Sequence, residues 1–206
     1  MTLATARSRV QTHTAEAYLA AEVQSELRHE YRDGEIIPMT GGTPNHNRLS
    51  GTLLFLLMSK LRKQPYDIFV TDQRLWIPER NMFTYPDVMV MGRPAELMSG
   101  RRDTVVNPLV VAEVLSSSTE GYDRGEKFSA YRTIPSFQEY LLVAQDGPVV
   151  ERYEKRSPSE WVLTEWRGME AVVPVVSLGV ELPLVELYEA VEFGEVGGGV
   201  EGVAEG

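Results

Sequence analysis

The sequence predicts an α/β (α+β) fold in which a central mixed β-sheet is flanked by helices. Three observations indicate it: a periodic leucine-rich helix near residues 46–63, an apolar run at 107–115, and a helix followed by a further apolar run directly after it. With 206 residues, 43% hydrophobic and 24% charged, the chain has an ordinary globular composition and enough length for a substantial core. We expect one domain over residues 1–193 and a disordered Gly- and Glu-rich tail over 194–206.

The N-terminal part of the chain predicts a helix, a hairpin and a second helix. Residues 14–30 have helical composition, and 31–39 read as a strand or short hairpin turning at Asp33-Gly34. Asn45 is the expected N-cap of the helix at 46–63. The apolar face of the first helix is expected to consist of Ala17, Ala20, Ala21 and Leu27. The face of the second helix is expected to consist of Leu49, Leu53, Leu56, Leu57 and Leu61.

The middle of the chain predicts one parallel crossover unit. The apolar strand 107–115 is followed by a helix at 123–133 and by a strand at 137–144. Asp123 and Glu126 are spaced as a capping box at the start of that helix. The three elements together favour a mixed sheet rather than a purely antiparallel one.

Hairpins are predicted on both sides of this unit. Residues 66–91 read as two strands joined at 79–81, and 148–167 read as a hairpin with alternating exposure. Residues 171–188 contain two prolines and predict an irregular end. We therefore expect extra C-terminal hairpins outside the central unit.

Composition excludes several classes of protein. The chain has no cysteine, which excludes disulfides and thiolate metal sites and fits a cytoplasmic location. The first residues lack the apolar core of a signal peptide, and no apolar run approaches the ~20 residues of a membrane span. The net charge of −10 argues against a protein that coats nucleic acid without specificity.

Two acidic residues lie in apolar surroundings. Glu113 lies within the run 110–115, and Asp87 follows Pro86 at the start of another apolar run. A buried carboxylate costs several kcal/mol unless it is paired. If the two strands are neighbours, both acids can converge on one Mg²⁺ or Mn²⁺ ion. The alternative is that each acid is paired separately, by backbone amides or by an arginine.

Lys127 is the basic residue expected nearest to these acids. The capping box places it in the first turn of the helix after the Glu113 strand, from where its amine could orient an attacking water or stabilise developing charge. The alternative is a solvated lysine that pairs with Asp123 four residues earlier.

These residues carry a resemblance. Tyr85-Pro86-Asp87 followed by Ala112-Glu113-Val114-Leu115 resembles the signature of the PD-(D/E)XK nuclease superfamily. The run EVLSSSTEGYDRGEKFSAYRTIPSFQEYLLV, with YRDGEIIPMTGGTPNHNRLSGTLL before it, resembles the Uma family of predicted restriction endonucleases. The likeness covers roughly residues 30–145.

The resemblance implies a restriction-endonuclease-like core and metal-dependent hydrolysis of phosphodiester bonds, with DNA as substrate and a homodimer by analogy. It implies a divalent metal at Asp87 and Glu113, which the carbonyl of Val114 would help to coordinate. The superfamily's usual lysine position, two residues after the glutamate, holds Leu115 here. Lys127 matches the Uma pattern, in which the lysine lies on the next helix.

Further candidates surround this set. His46 would ligate metal, bind phosphate or relay a proton, or else cap its own helix. Glu35 is a weaker acidic candidate, and Tyr131 would line the cleft or serve as a core aromatic. The residues expected to contact DNA phosphates, or else to be solvated, are Arg48, Lys60, Arg62, Lys63, Arg101, Arg102, Arg124 and Arg132.

Three functions remain open at this level. The first is a metal-dependent nuclease. The second is a binding or regulatory module that keeps the nuclease-like fold without cleaving, which Leu115 and the acidic charge favour. The third is a metal-dependent hydrolase of a small phosphorylated molecule. No P-loop, HExxH or CxxC motif is present to indicate another chemistry.

Overall fold

The computed structural model of the chain describes residues 12–193. The predicted disordered tail, 194–206, lies outside the described residues. The helices are α1 (Ala15–Gln24), α2 (Pro44–Lys60), α3 (Glu120–Tyr122), α4 (Phe128–Tyr131) and α5 (Leu184–Leu187), and a π-helical segment (Asp123–Lys127) joins α3 to α4. The strands are β1 (His29–Arg32), β2 (Glu35–Pro38), β3 (Tyr66–Val70), β4 (Arg74–Ile77), β5 (Met82–Thr84), β6 (Val88–Gly92), β7 (Thr104–Val105), β8 (Pro108–Val114), β9 (Glu139–Val143), β10 (Val149–Ser157), β11 (Glu160–Arg167), β12 (Val172–Val175) and β13 (Val180–Pro183).

A mixed six-stranded sheet forms the centre of the molecule. Its strand order is β11-β10-β9-β8-β6-β3, and β8 pairs with β9 in parallel while the other pairs are antiparallel. The parallel pair is connected through the helical segment 120–131, so the predicted crossover unit is confirmed. The mixed α/β fold with helices on its sheets is confirmed as well.

The two faces of this sheet are buried against different partners. One face packs on α2, on the β12–β13 hairpin and on α5, with Leu49, Leu53 and Leu57 fully buried. The other face packs on the helical segment 120–131 and on strands of a five-stranded sheet ordered β2-β1-β5-β4-β7. Side chains alternate between the two faces along each strand, which explains why β8 reads as a continuous apolar run.

The leucine periodicity of α2 predicted its buried face correctly, but its N-cap is Thr43 rather than Asn45. The Thr43 hydroxyl accepts a hydrogen bond from the His46 N–H (3.1 Å). Pro44 then occupies the first helical turn, where its missing N–H costs nothing. The helix therefore begins before the predicted residue 46.

Two helix predictions were wrong in detail. The helix predicted over 14–30 ends at Gln24, and its buried side is formed by Tyr18 and Leu19, while Leu27 is 66% exposed. Tyr18 stacks on Tyr31 (5.2 Å between ring centroids), and this aromatic contact decides which side of the helix is buried. Small alanines bury too little area to compete.

The capping box predicted at Asp123 and Glu126 is also wrong, because the helical segment begins at Glu120. The Asp123 N–H bonds to the Thr119 carbonyl inside the segment (2.9 Å). The Asp123 side chain is consequently buried within the molecule instead of capping a helix end.

The hairpin predictions were mostly correct. β1–β2 turns at Asp33-Gly34 and β10–β11 pairs as expected. β4 and β5 form the hairpin predicted within 66–91, but β3 and β6, the outer parts of the same runs, pair with each other in the central sheet. The region 171–188 is more regular than predicted, since β12 and β13 form a hairpin. No helix among residues 12–193 is long and apolar enough to cross a membrane.

Candidate active site

The two acids singled out in the sequence lie side by side. β6 and β8 are antiparallel neighbours, and Val88 pairs with Ala112, so Asp87 faces Glu113 one position further along. The Asp87 N–H donates to Glu113 Oε2 (3.3 Å), and the Val114 N–H donates to Asp87 Oδ2 (2.7 Å). The two strands are thus neighbours, and they bring the two carboxylates together as the sequence analysis expected for that case.

His46 completes this side of the cluster from the start of α2. Its Nε2 lies 3.1 Å from Asp87 Oδ2, and the side chain is half-buried. The hydrogen bond to Asp87 raises the pKa of His46, although burial works in the opposite direction. The N-cap Thr43 fixes the turn that carries this histidine.

Lys127 lies on the other side of Glu113, buried rather than solvated. Its Nζ is 3.0 Å from Asp123 Oδ1, 3.1 Å from Glu113 Oε1 and 3.5 Å from Glu30 Oε1. The pair with Asp123 that the sequence offered as an alternative is therefore present, but within the same cluster as Glu113. The Tyr131 hydroxyl also donates to Glu113 Oε1 (2.8 Å).

We call this set the acid–lysine cluster: Glu30, Asp87, Glu113, Asp123 and Lys127. Burial raises the pKa of Glu113 to about 8, and the carboxylates of Asp87, Asp123 and Glu30 add to the rise while Lys127 opposes it. Burial alone would lower the pKa of Lys127, yet the surrounding carboxylates raise it well above its usual value. One ammonium group is thus outnumbered by carboxylates in a water-poor site.

Two members of the cluster were not predicted as site residues. Glu30 lies in β1, where it accepts hydrogen bonds from the Thr84 and Tyr122 hydroxyls. Asp123 was predicted as a helix cap and as the surface partner of Lys127 four residues later. Its burial in the site follows from the π-helical turn, which the sequence did not predict. Glu30 has no sequence signal of its own, because it was placed at the end of a helix and reaches the site through the second sheet.

Glu35, the weaker acidic candidate, lies away from the site. It is exposed and accepts a hydrogen bond from Arg32 Nη2 (2.7 Å). It lies at the start of β2 and, among residues 12–193, forms no hydrogen bond or ion pair with the residues around Glu113, so the structure does not bring it into the site.

Half of the eight basic candidates are paired with acids. Arg124 contacts Glu120 and Glu151, Arg101 contacts Asp103, and Arg48 contacts Glu192. Lys60 lies 3.9 Å from Glu186. Within residues 12–193, Arg62, Lys63, Arg102 and Arg132 form no ion pair. These four are therefore the candidates whose charge is left uncompensated for phosphate contacts.

A cavity of about 470 Å³ lies at the carboxyl ends of β8 and β9, and none of the acid–lysine cluster residues lines it. Gln145 lies in its wall and donates to the Leu115 carbonyl (2.6 Å), while its own side-chain carbonyl accepts from the Thr43 hydroxyl. This amide connects the end of β8 to the N-cap of α2, and so holds His46 and Asp87 in place relative to Glu113.

The cluster suits a hard divalent cation in its donor chemistry. Mg²⁺ is held in proteins by one or two carboxylates completed by water and substrate oxygens. Among the described residues no set of three His, Cys, Asp or Glu side chains is arranged as a complete metal cage. However, no hydrogen bond from these residues reaches Asp87 Oδ1, and Glu113 Oε2 accepts only the 3.3 Å bond, so both acids retain acceptor capacity.

Comparison with known proteins begins with the fold. The structure matches a crystal structure described as a putative nuclease belonging to DUF820 from Anabaena variabilis, with a TM-score of 0.70 and 20% identity over 86% of this chain and 98% of that one. The two proteins therefore share a fold.

The family follows from the sequence match. Residues 15–185 match the family described as "Uma2: Putative restriction endonuclease", and the chain belongs to this family. Two proteins of Synechocystis sp., described as uncharacterized proteins sll1609 and slr1290, are 44% and 33% identical to it. The matches cover 78% and 86% of this chain, and 90% and 92% of the relatives. The resemblance drawn from the sequence is confirmed.

Proposed function

We propose that this protein is a metal-dependent endonuclease that hydrolyses phosphodiester bonds, with DNA as the preferred substrate. Asp87 and Glu113 hold Mg²⁺ or Mn²⁺ with the Val114 carbonyl, and Lys127 acts on the attacking water. A bound divalent ion supplies Lewis-acid polarisation of the phosphodiester and neutralises its charge.

The observation that carries the proposal is the charge imbalance of the acid–lysine cluster. Buried carboxylates that outnumber their cations must take up protons or bind another cation. The pKa of Glu113 is raised mainly by burial, and the carboxylates of Asp87, Asp123 and Glu30 add to the rise. A divalent ion would replace the proton and remove the repulsion between Asp87 and Glu113.

The protein groups around the ion would each have a definite task. Lys127 holds Glu113 in one orientation, and it can exchange its longest contact, the 3.5 Å contact to Glu30, for a water molecule. Tyr131 keeps the same Glu113 oxygen hydrogen-bonded. His46 contacts Asp87 Oδ2, so the second oxygen of this carboxylate, Oδ1, would be available to the ion. Leu115, at the superfamily's lysine position, is buried and contributes only packing.

Two measurements on matched variants test the proposal. Calorimetric titration with Mn²⁺ should show binding to the wild-type protein and to Glu139→Gln, which alters a buried glutamate on the opposite face of the sheet, but not to Glu113→Gln. Cleavage of supercoiled plasmid DNA in Mg²⁺ should follow the same pattern. Absence of metal binding together with uncut DNA and RNA would refute the proposal.

A second function, a nuclease-fold binding module without catalysis, is favoured by one specific observation. The oxygens of Asp87 and Glu113 accept hydrogen bonds from Val114, His46, Asp87, Lys127 and Tyr131, so the cluster is held together by protein donors. DNA binding that is equal in wild-type protein and Lys127→Ala, with no cleavage by either in Mn²⁺, would select this function.

A further inference from the structure

The outer edge of β11 is a long, unpaired strand edge. β11 has eight residues and ends the central sheet, and within residues 12–193 no strand pairs with its outer side. The opposite edge strand of the same sheet, β3, has five residues. An exposed edge offers a row of free N–H and C=O groups to any second strand.

The alternation of hydrogen-bonded pairs between β10 and β11 identifies which backbone N–H and C=O groups of β11 have no partner in the sheet. The Gly168 N–H donates to the Pro148 carbonyl (2.9 Å), and the Ala144 N–H donates to the Val149 carbonyl (3.0 Å). Since hydrogen-bonded and non-hydrogen-bonded pairs alternate in antiparallel strands, the even-numbered residues of β11 bond inward to β10. The N–H and C=O groups that point outward belong to Trp161, Leu163, Glu165 and Arg167.

The middle of this edge lacks the charged residues and prolines that commonly block pairing at natural edge strands. Residues 161–164 are Trp-Val-Leu-Thr, and Leu163 is 51% exposed. The charges that follow, Glu165 and Arg167, pair with each other (2.5 and 2.7 Å) and so present no net charge.

We propose that this edge is an interaction surface for a second copy of the chain, with β11 pairing antiparallel to β11 of the partner about a two-fold axis at Leu163. A two-fold axis perpendicular to the sheet brings one residue opposite itself. An axis at Glu165 would place two like charges opposite each other, which is destabilising. An axis at Leu163 places the exposed leucine opposite Leu163 of the second copy, so two apolar side chains meet there.

This register uses nearly the whole strand. Residues 160–166 find partners within the other β11, with Val162 opposite Thr164, and about six hydrogen bonds form between the outward-pointing groups. The like charges of the two copies are kept apart. Because the axis is perpendicular to the sheet, both acid–lysine clusters lie on the same side of the joined sheet. The surface itself does not depend on nuclease activity.

Sedimentation equilibrium on the full chain tests the proposal through a charge exchange at the axis. The wild-type protein should be a dimer at concentrations of about 1–100 µM, in the affinity range of a small specific interface. Leu163→Lys alone and Leu163→Glu alone should each weaken dimerisation at least tenfold, because like charges then meet at the axis. An equimolar mixture of the two variants should recover the dimer.

Leu97→Lys is the matched control, because Leu97 is a similarly exposed leucine (49%) away from β11 and its substitution should leave the dimer unchanged. Circular dichroism of each variant verifies that it is folded. A monomeric wild-type protein, a dimer that Leu163→Lys leaves intact, or a mixture that stays monomeric would each overturn the proposal.

Discussion

Two charge clusters lie on opposite faces of the central sheet, and they differ in charge balance. On one face lies the acid–lysine cluster. On the other lies an arginine cluster, in which Arg152, Glu139 and Glu154 are buried and Arg156 reaches Glu154 from the surface. In the arginine cluster, two guanidinium groups face two carboxylates. Glu139 also accepts from the backbone N–H groups of Val176 and Ser177 (3.0 and 2.7 Å).

The two clusters differ in how their carboxylates are paired. The arginine cluster ties the turn after β12 to the central sheet, and each of its carboxylates has a dedicated donor. In the acid–lysine cluster, Glu30, Glu113 and Asp123 share one ammonium group. Burial of charge is therefore a weak indicator of function by itself, and unbalanced burial is a stronger one.

The largest expected difference between the two clusters is in DNA cleavage. Glu113→Gln should lower kcat/KM in Mg²⁺ by about three orders of magnitude, which corresponds to the several kcal/mol that a metal ion supplies. Glu139→Gln, on the other face, should change kcat/KM by less than about fivefold. Equal losses in plasmid-cleavage assays would remove the distinction.

The next largest effect is expected when Lys127, the single ammonium group of the acid–lysine cluster, is removed. Lys127→Met leaves Glu30, Glu113 and Asp123 together without an ammonium group, so the free energy of unfolding in chelator should fall by about 3 kcal/mol. Addition of Mn²⁺ should recover part of this loss, since the ion takes over the neutralisation. Urea unfolding with and without Mn²⁺ measures both effects, and a loss below about 0.5 kcal/mol would contradict the buried network.

The two glutamines should also differ in stability without metal. Glu139→Gln loses a charged acceptor for two backbone N–H groups and should cost about 1.5–3 kcal/mol in urea unfolding at pH 7. Because its pKa of about 8 keeps Glu113 mostly protonated at pH 7, Glu113→Gln exchanges one neutral group for another and should change the free energy of unfolding little under the same conditions. If Glu113→Gln instead proved more destabilising than Glu139→Gln, the carboxylates of the acid–lysine cluster would already be balanced by their partners.

The pH dependence sharpens this contrast. Because the folded-state pKa of Glu113 is raised from 4.5 to about 8, the favourable contribution of its protonated form is complete below pH 4.5 and is lost as the pH rises towards 8. The stability of the wild-type protein relative to Glu113→Gln should thus fall with pH across this window. A difference that stays flat in urea titrations from pH 5 to pH 8 would refute the raised pKa.

The smallest predicted effect concerns the link between the site and α2. Thr43→Ala removes the N-cap and the hydroxyl that contacts Gln145, and should cost about 1 kcal/mol in urea unfolding with a modest fall in kcat. Thr43→Ser keeps the hydroxyl and serves as the control, with little change expected. A Thr43→Ser variant as impaired as Thr43→Ala would assign the effect to packing of the methyl group.

The sequence predicted the parts of the fold that local pattern determines. The leucine face of α2 and the parallel crossover from β8 to β9 follow from periodicity and from the alternation of elements. The division of residues 66–91 between two sheets was not predictable, because β3 and β6 pair over a distance that periodicity does not encode. The Thr43 cap was missed because Asn45 is an equally good local candidate.

The residues of the candidate site were likewise predicted only where a local sequence pattern singled them out. Asp87 and Glu113 stood out because a charge in or beside an apolar run needs an explanation. Lys127 stood out because its helix follows the Glu113 strand after a short loop, although the capping box used to place it was wrong. The four-residue spacing of Asp123 and Lys127 indicated their pairing, but not that the pair is buried beside Glu113. Glu30 had no such indication, because only the packing of the second sheet brings it to Lys127.

The π-helical segment Asp123–Lys127 allows one short stretch of helix to direct both a carboxylate and an amine inward. A π-turn holds about one residue more than an α-helical turn. Deletion of Gly125 would restore ordinary spacing and turn the preceding residues by about 100° relative to those that follow. Asp123 would then leave the cluster while Lys127 and Tyr131 stayed in place. The net charge around the lysine is thus set by the length of one turn, and an insertion or deletion there would change it without replacing any acidic residue.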